Sequence, residues 1–239
     1  EAKKQKRKID IHIKVDTGMG RIGVSAFDTI KFASEIKGLK QLNLKGIFTH
    51  FPSADCDYSF TKKQIREFKI LCNKLEECGI NIPIKHTANG AAMLLYPDSY
   101  FDMVRPGLIT YGLYPDKVFH KKIDLKPALS WKTHIIFLKE VLSGTSISYG
   151  RTFIAKKRMK VATLSVGYGD GYNRLLSNSG IVLIHNVKAR IIGRVCMDQI
   201  MVDVSHISNA KIGDEVILIG NTITAEEIAT KIKTIPYEV

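Results

Sequence analysis

Lys14 stands in the stretch HIKVDTGMGRIGV (12–24), just ahead of an aspartate and a glycine-rich loop. A strand lysine facing a site can hold a carbonyl group as a Schiff base, so its type alone makes it a candidate for chemistry. His50, His86 and Arg105 fall at comparable places, each near the end of an apolar run. HTANGAA (86–92) leads into a short helical pattern, where unpaired N–H groups bind anions and Gly90 lets a phosphate approach the backbone. VRPGL adds Gly107 and the Leu108 amide next to Arg105. Arginine there is a permanently charged planar donor for a phosphate, a carboxylate or a ring nitrogen. SVGYGDGYNR sets Tyr168 between two glycines. A tyrosine bared in this way can serve as a general base if neighbouring cations lower its pKa from about 10. GRVCMDQI places Met197 and Asp198 at the end of a strand. Each residue also has a plainer reading: a solvated strand end, an ordinary salt bridge for Arg105, a turn tyrosine in water for Tyr168. Four polar residues at successive strand ends favour the functional one.

The elements that must position these residues are legible in outline. IDIHIKVD (9–16) alternates strictly, with Ile9, Ile11, Ile13 and Val15 on one face and Asp10, His12, Lys14 and Asp16 on the other. Residues 27–37 predict a helix with Ile30, Ala33 and Ile36 on one stripe, and 42–50 a second strand. Residues 61–79 predict a strong helix, with Ile65, Phe68, Leu71, Cys72, Leu75 and Cys78 at helical spacing and Gly79 as its cap. IPIKHTANG gives a third strand and a turn, AAMLL a short helix, and YFDMVRPG (100–107) a fourth strand. This βαβαβαβ order is that of a parallel sheet, and polar strand faces favour one rolled into an α/β barrel. From about residue 124 the pattern changes to short strands between turns. One helix follows at 224–232, with Thr224 and Glu227 forming a capping box. The expected architecture is a barrel segment over 1–123 followed by a β-rich domain over 124–239.

Lysine and arginine total 36 against 23 acidic residues, a net charge of +13. Part of the excess is the arm EAKKQKRK; the remaining lysines are scattered and lack an RNA-binding aromatic signature, so neither nucleic acid nor membrane is expected as a partner. A positive field also suits a small anionic ligand. Cys56, Cys72, Cys78 and Cys196 form no CxxC pair and read as reduced thiols of a cytoplasmic protein.

Together, IKVDTGMGRIGV, FTHFPSAD, HTANGAA, DMVRPGLITYGLYP, SVGYGDGY, GRVCMDQIMVDVS and TIPYEV resemble the alanine racemases, in family order and over essentially the whole chain. The resemblance implies a (βα)₈ barrel that binds pyridoxal 5'-phosphate, a C-terminal β-domain and a homodimer with shared active sites. It implies interconversion of L- and D-alanine for peptidoglycan by two bases. One is a Schiff-base lysine and the other a tyrosine from the partner subunit, matched by Tyr168. Arg105 matches the arginine facing the cofactor's ring nitrogen, and His50 a histidine stacked near the ring that supports the arginine network. Asn89, Gly90, Gly107, Leu108 and Tyr237 match the phosphate cradle. Arg21 and Met197 match substrate-binding residues, Asp198 accompanies Met197, and Lys14 matches a lysine carbamylated in many members, with Arg21 as its partner.

Two departures stand out. Gly90 replaces a serine that usually bonds the phosphate. The Schiff-base lysine belongs to a first-strand motif like VKANAYGHG, which has no counterpart among these residues. The chain is therefore expected to be a fragment that starts at the fifth barrel strand and does not racemise alone. The competing readings are a racemase for serine or another small amino acid and a non-catalytic remnant. The joint presence of Tyr168, Arg21, Arg105 and Met197 argues against decay.

Overall fold

The computed structural model describes residues 1–116, 118–119 and 122–239, which form two compact units, Glu1–Leu125 and Lys126–Val239. In the first unit the alternating stretch becomes strand β1 (Ile9–Asp16). The glycine loop after it ends in the two-residue strand β2 (Val24–Ser25), and helix α1 (Thr29–Lys37) follows. Strand β3 (Leu42–Phe48), helix α2 (Tyr58–Glu77), strand β4 (Ile84–His86) and helix α3 (Gly90–Leu95) complete the run. The four strands form a parallel sheet in the order β2-β1-β3-β4. Ile13 and Val15 of β1 are buried against Ala33 and Ile36 of α1 and Phe68, Leu71 and Leu75 of α2. The apolar face of the strand thus meets the helices, which leaves His12, Lys14 and Asp16 on the other face.

Helix α2 begins three residues before the predicted start, because Asp57 caps it by accepting the Phe60 N–H at 3.0 Å. It ends where Gly79 turns left-handed (φ +70°), with Ile80 N–H bonded to the Leu75 carbonyl and Gly79 N–H to that of Glu76. Cys78 lies past the last helical residue and is exposed, so it does not continue the buried stripe.

The predicted strand over 100–107 does not form. Phe101 is left-handed (φ +47°), and the Asp102 carboxylate takes the Lys85 N–H at 2.8 Å in place of a backbone carbonyl. Backbone bonds persist at Asp102 N–H to Lys85 O and Arg105 N–H to Ala88 O, both 3.0 Å. The segment therefore runs beside β4 without a ladder and passes into a 3₁₀ turn, Gly107–Tyr111.

The second unit contains β5 (Trp131–Val141), β6 (Ser146–Ile147), β7 (Phe153–Ile154), β8 (Met159–Leu164), β9 (Ile181–Ile184), β10 (Val187–Ile191), β11 (Ile200–Asp203) and β12 (Glu215–Ile219). Six of them close into an antiparallel barrel, β10-β11-β8-β5-β12-β9, while β6 and β7 pair with each other. The stretch GIVLIHNVKARIIGR becomes a hairpin, since His185 and Asn186 are both left-handed and turn the chain between β9 and β10. Ile135, Leu164, Val182, Ile184, Ile191, Val202 and Val216 fill the barrel core. Helix α4 (Ala225–Ile232) is capped by Thr224, which accepts the Glu227 N–H at 3.2 Å, and it packs Ile228 and Ile232 onto that core. Among the described residues no helix is long and apolar enough to cross a membrane.

Candidate active site

The ends of β1, β3 and β4 gather the charged residues of the first unit. Lys14 Nζ is buried and has no hydrogen-bond partner among the described residues. Burial first, then the Arg21 charge with Arg105 adding to it, pulls its pKa below the ordinary lysine value; Asp16 opposes them. Asp16 cannot neutralise the cluster by contact, because its carboxylate is spent on the glycine loop. It accepts the N–H groups of Gly18, Met19 and Gly20 at 2.8–3.1 Å, and those bonds hold it below the usual carboxylate range. His50 follows β3. Burial, then the charges of Arg105, Arg21 and Lys14, hold its ring towards the neutral form. Lys14, Arg21 and Arg105 thus share one electropositive region, suited to a phosphate or a carboxylate.

Arg105 is held from several sides. Nη2 donates to the carbonyls of Thr49 at 2.8 Å and Thr87 at 3.1 Å, and Nη1 meets His86 Nδ1 at 2.5 Å. The His86 ring stacks on Phe48, with centroids 4.9 Å apart and planes within 5°, and the guanidinium lies 5.4 Å from the same phenyl centroid. His86 Nε2 in turn meets His12 Nδ1 at 2.9 Å. Burial, then the charges of Arg105 and His12, lower the His86 pKa to about 4. The resemblance gives His50 a supporting place in the arginine network. The imidazole bonded to Arg105 is His86, the last residue of β4, whereas His50 lies beyond the end of β3 and has no bond to Arg105 among the described residues.

Asn89 caps α3, accepting the Ala92 N–H at 3.0 Å and donating to the Phe51 carbonyl at 3.2 Å. Among the described residues the N–H groups of Gly90, Ala91, Gly107 and Leu108 have no protein acceptor. Gly90 owes its identity to crowding: a Cβ there would lie 2.6 Å from the Pro106 carbonyl oxygen. The missing side chain makes room for the next loop, and the Gly90 N–H stays free for an anion.

In the second unit Tyr168 opens a 3₁₀ turn after β8 and is 44% exposed. Its N–H donates to the Cys196 carbonyl at 2.9 Å, and that of Gly169 to Met197 O at 2.7 Å. A Cβ on Gly167 would lie 2.3 Å from those same two carbonyl oxygens, so the tyrosine turn can dock on the 196–197 loop only with glycine there. Met197 and Asp198 do not end a strand, as the sequence predicts. They occupy a tight bend between β10 and β11, closed by Cys196 N–H to Gln199 O at 3.0 Å, and both are exposed. Tyr237 lies in a 3₁₀ turn, Pro236–Glu238, and is exposed.

The first unit therefore brings Lys14, Arg21, His50 and Arg105 together and sets Asn89, Gly90, Gly107 and Leu108 on neighbouring turns. The second brings Tyr168 to Met197. Sequence reasoning passed over His12, Phe48 and Thr49. For His12 a signal exists, since strand alternation places it on the same face as Lys14.

Two family models match the chain: "Alanine racemase, N-terminal domain" over residues 1–115 and "Alanine racemase, C-terminal domain" over residues 128–239. The alanine racemase of Halothermothrix orenii is 50% identical over 96% of this chain and 62% of its own length. Alanine racemase 2 of Caldanaerobacter subterraneus subsp. tengcongensis is 46% identical over 100% of this chain and 63% of its own. Among solved structures, the alanine racemase of Clostridium difficile 630 superposes with a TM-score of 0.95 at 40% identity, over 99% of this chain and 63% of that one. That of Bacillus anthracis, with bound L-Ala-P, gives 0.90 at 36% identity, over 97% and 61%. The chain thus spans a little over three fifths of the length of these relatives.

Proposed function

The chain belongs to the alanine racemase family, with one family domain matched in each of its two units, and on that premise we propose that it serves the pyridoxal-phosphate-dependent interconversion of L- and D-alanine. The product D-alanine goes to peptidoglycan. In this reading residues 1–123 are the later half of a (βα)₈ barrel, residues 124–239 the family's β-domain, and the working unit is a cytoplasmic homodimer with shared sites. The four cysteines are all free, which suits that compartment. The observation that carries the reading is the electropositive cluster of Lys14, Arg21 and Arg105, beside which the half-buried His50 ring is held towards its neutral form.

The residues of the first unit fit the cofactor. Unpaired N–H groups at Gly90, Gly107 and Leu108, beside Asn89, would hold its phosphate. Arg105 still has an N–H to offer the ring nitrogen, and because arginine only donates it keeps that nitrogen unprotonated. When bound, pyridoxal phosphate supplies the electron sink that makes the α-hydrogen of an amino acid acidic. His50 would pack beside the cofactor ring. Arg21 receives the substrate carboxylate, with Met197 and Asp198 closing the substrate side from a partner copy. Tyr168, exposed on its glycine turn, takes or returns the α-proton on the L side. Carbamylation of Lys14, in which its neutral amine adds CO₂ and loses a proton, would replace an unpartnered buried group by an anion facing Arg21.

The protein containing these 239 residues, supplied with pyridoxal phosphate, is expected to convert L-alanine to D-alanine and to prefer alanine over serine. Tyr168→Phe should slow exchange of the α-hydrogen of L-alanine with D₂O by about 10²–10⁴-fold, with a smaller effect on D-alanine. Equal loss for both enantiomers would remove Tyr168 from its role, and preferential turnover of serine would overturn the substrate.

A further inference from the structure

His12 is joined to Arg105 through His86, and the chemistry of the three groups fixes where each proton sits. A guanidinium can only donate, so the 2.5 Å contact from Arg105 Nη1 leaves His86 Nδ1 without a proton. Burial beside Arg105 keeps the ring neutral, so its one proton is on Nε2. That nitrogen is 2.9 Å from His12 Nδ1, which must therefore accept.

The seat of His12 is itself built. Gly46 on β3 lies opposite His12 in the β1–β3 register, where the pairing shifts between Ile11 and His12. A Cβ on residue 46 would fall 2.4 Å from His12 Nδ1, 2.5 Å from Cε1 and 2.7 Å from Cγ. Glycine in a strand interior otherwise weakens the strand, and here it opens the slot for the imidazole. At the other end Phe48 stacks on His86 and underlies Arg105.

We propose that His12 is a positioning residue for Arg105: by accepting the Nε2 proton of His86 it selects the tautomer whose Nδ1 receives the guanidinium, and so aims the N–H groups Arg105 has left. Among the described residues those are Nε–H and the second Nη1–H, since Nη2 is taken by the Thr49 and Thr87 carbonyls. The proposal rests on the reading that these N–H groups face the cofactor ring.

His12→Leu removes the acceptor, whereas His12→Asn returns an oxygen near the place of Nδ1. His12 is exposed, so both variants should fold, and Gly46→Ala gives a second perturbation that displaces the ring and leaves all three side chains in place. Long-range ¹H–¹⁵N spectra of the cofactor-free protein report which His86 nitrogen carries the proton. Wild type and His12→Asn are expected to show it on Nε2 alone; His12→Leu and Gly46→Ala should show mixed tautomers. An unchanged His86 spectrum in both of these variants overturns the proposal. In the protein containing these 239 residues, with pyridoxal phosphate added, His12→Leu should shift the cofactor's absorption band and lower kcat about tenfold at unchanged KM, and His12→Asn should restore both. If the tautomer responds while the bound cofactor's absorption does not, the His12 relay stands and the placement of the cofactor on Arg105 is what fails.

Discussion

At the scale of the residue, the site buries its imidazoles beside cations, which holds them towards the neutral form. His86 shows the consequence for stability. Its pKa is about 4 in the folded chain, against about 6.5 for an unfolded histidine. Between those values the unfolded chain binds the extra proton, so stability is complete above pH 6.5 and is lost as the pH falls towards 4. The loss reaches about 3 kcal/mol for this one group. Urea melts at pH 7 and pH 4.5 check this: the wild type should lose more stability over that interval than His86→Asn does, and equal losses would show that His86 is not held neutral. Sequence made His50, His86 and Arg105 candidates by their place after apolar runs, yet which imidazole serves the arginine was not legible. That pairing joins residues 19 apart, and its extension to His12 joins residues 74 apart, with no local pattern to announce either.

At the scale of the element, glycines decide how closely turns approach one another. Gly90 opens α3 and Pro106 immediately precedes the Gly107–Tyr111 turn, and their close approach sets the helix against the turn that carries Gly107 and Leu108. The resemblance implies a serine at position 90, which would seem a harmless restoration. Here the serine Cβ would meet the Pro106 oxygen at 2.6 Å, so Gly90→Ser is expected to destabilise by about 1–3 kcal/mol and to lower Tm in a thermal melt. A variant as stable as wild type would show that the 105–109 loop yields freely. The same logic explains the lost fourth strand. The composition of 100–107 suits a strand, but Asp102 replaces a ladder acceptor with its own carboxylate and Phe101 turns left-handed. Side chains that imitate backbone acceptors defeat a reading based on apolar spacing alone.

At the scale of the whole molecule, each unit has its own core. The second is a closed barrel with no open edge among its six strands, a form that needs no neighbour to satisfy its backbone. Residues 126–239 expressed alone should therefore fold, giving a cooperative thermal transition and a dispersed ¹H–¹⁵N spectrum; a collapsed spectrum would refute this. Sequence by itself determined the order of β1, α1, β3, α2, β4 and α3 in the first unit, the buried faces of β1 and α2, the change of character near residue 124, the cap at Thr224 and the family. These are carried by periods of two and 3.6 residues, by cap residues and by contiguous motifs, all of which act over a few neighbours. Tertiary structure alone decided that six short strands close on themselves, that Gly46 opens a slot for His12, that Gly90 yields to Pro106, and that Arg105 hangs between His86 and two carbonyls. Each of these depends on where separate strands and loops meet. A close approach between distant segments leaves no mark in the spacing of either one, so only the folded chain reveals it.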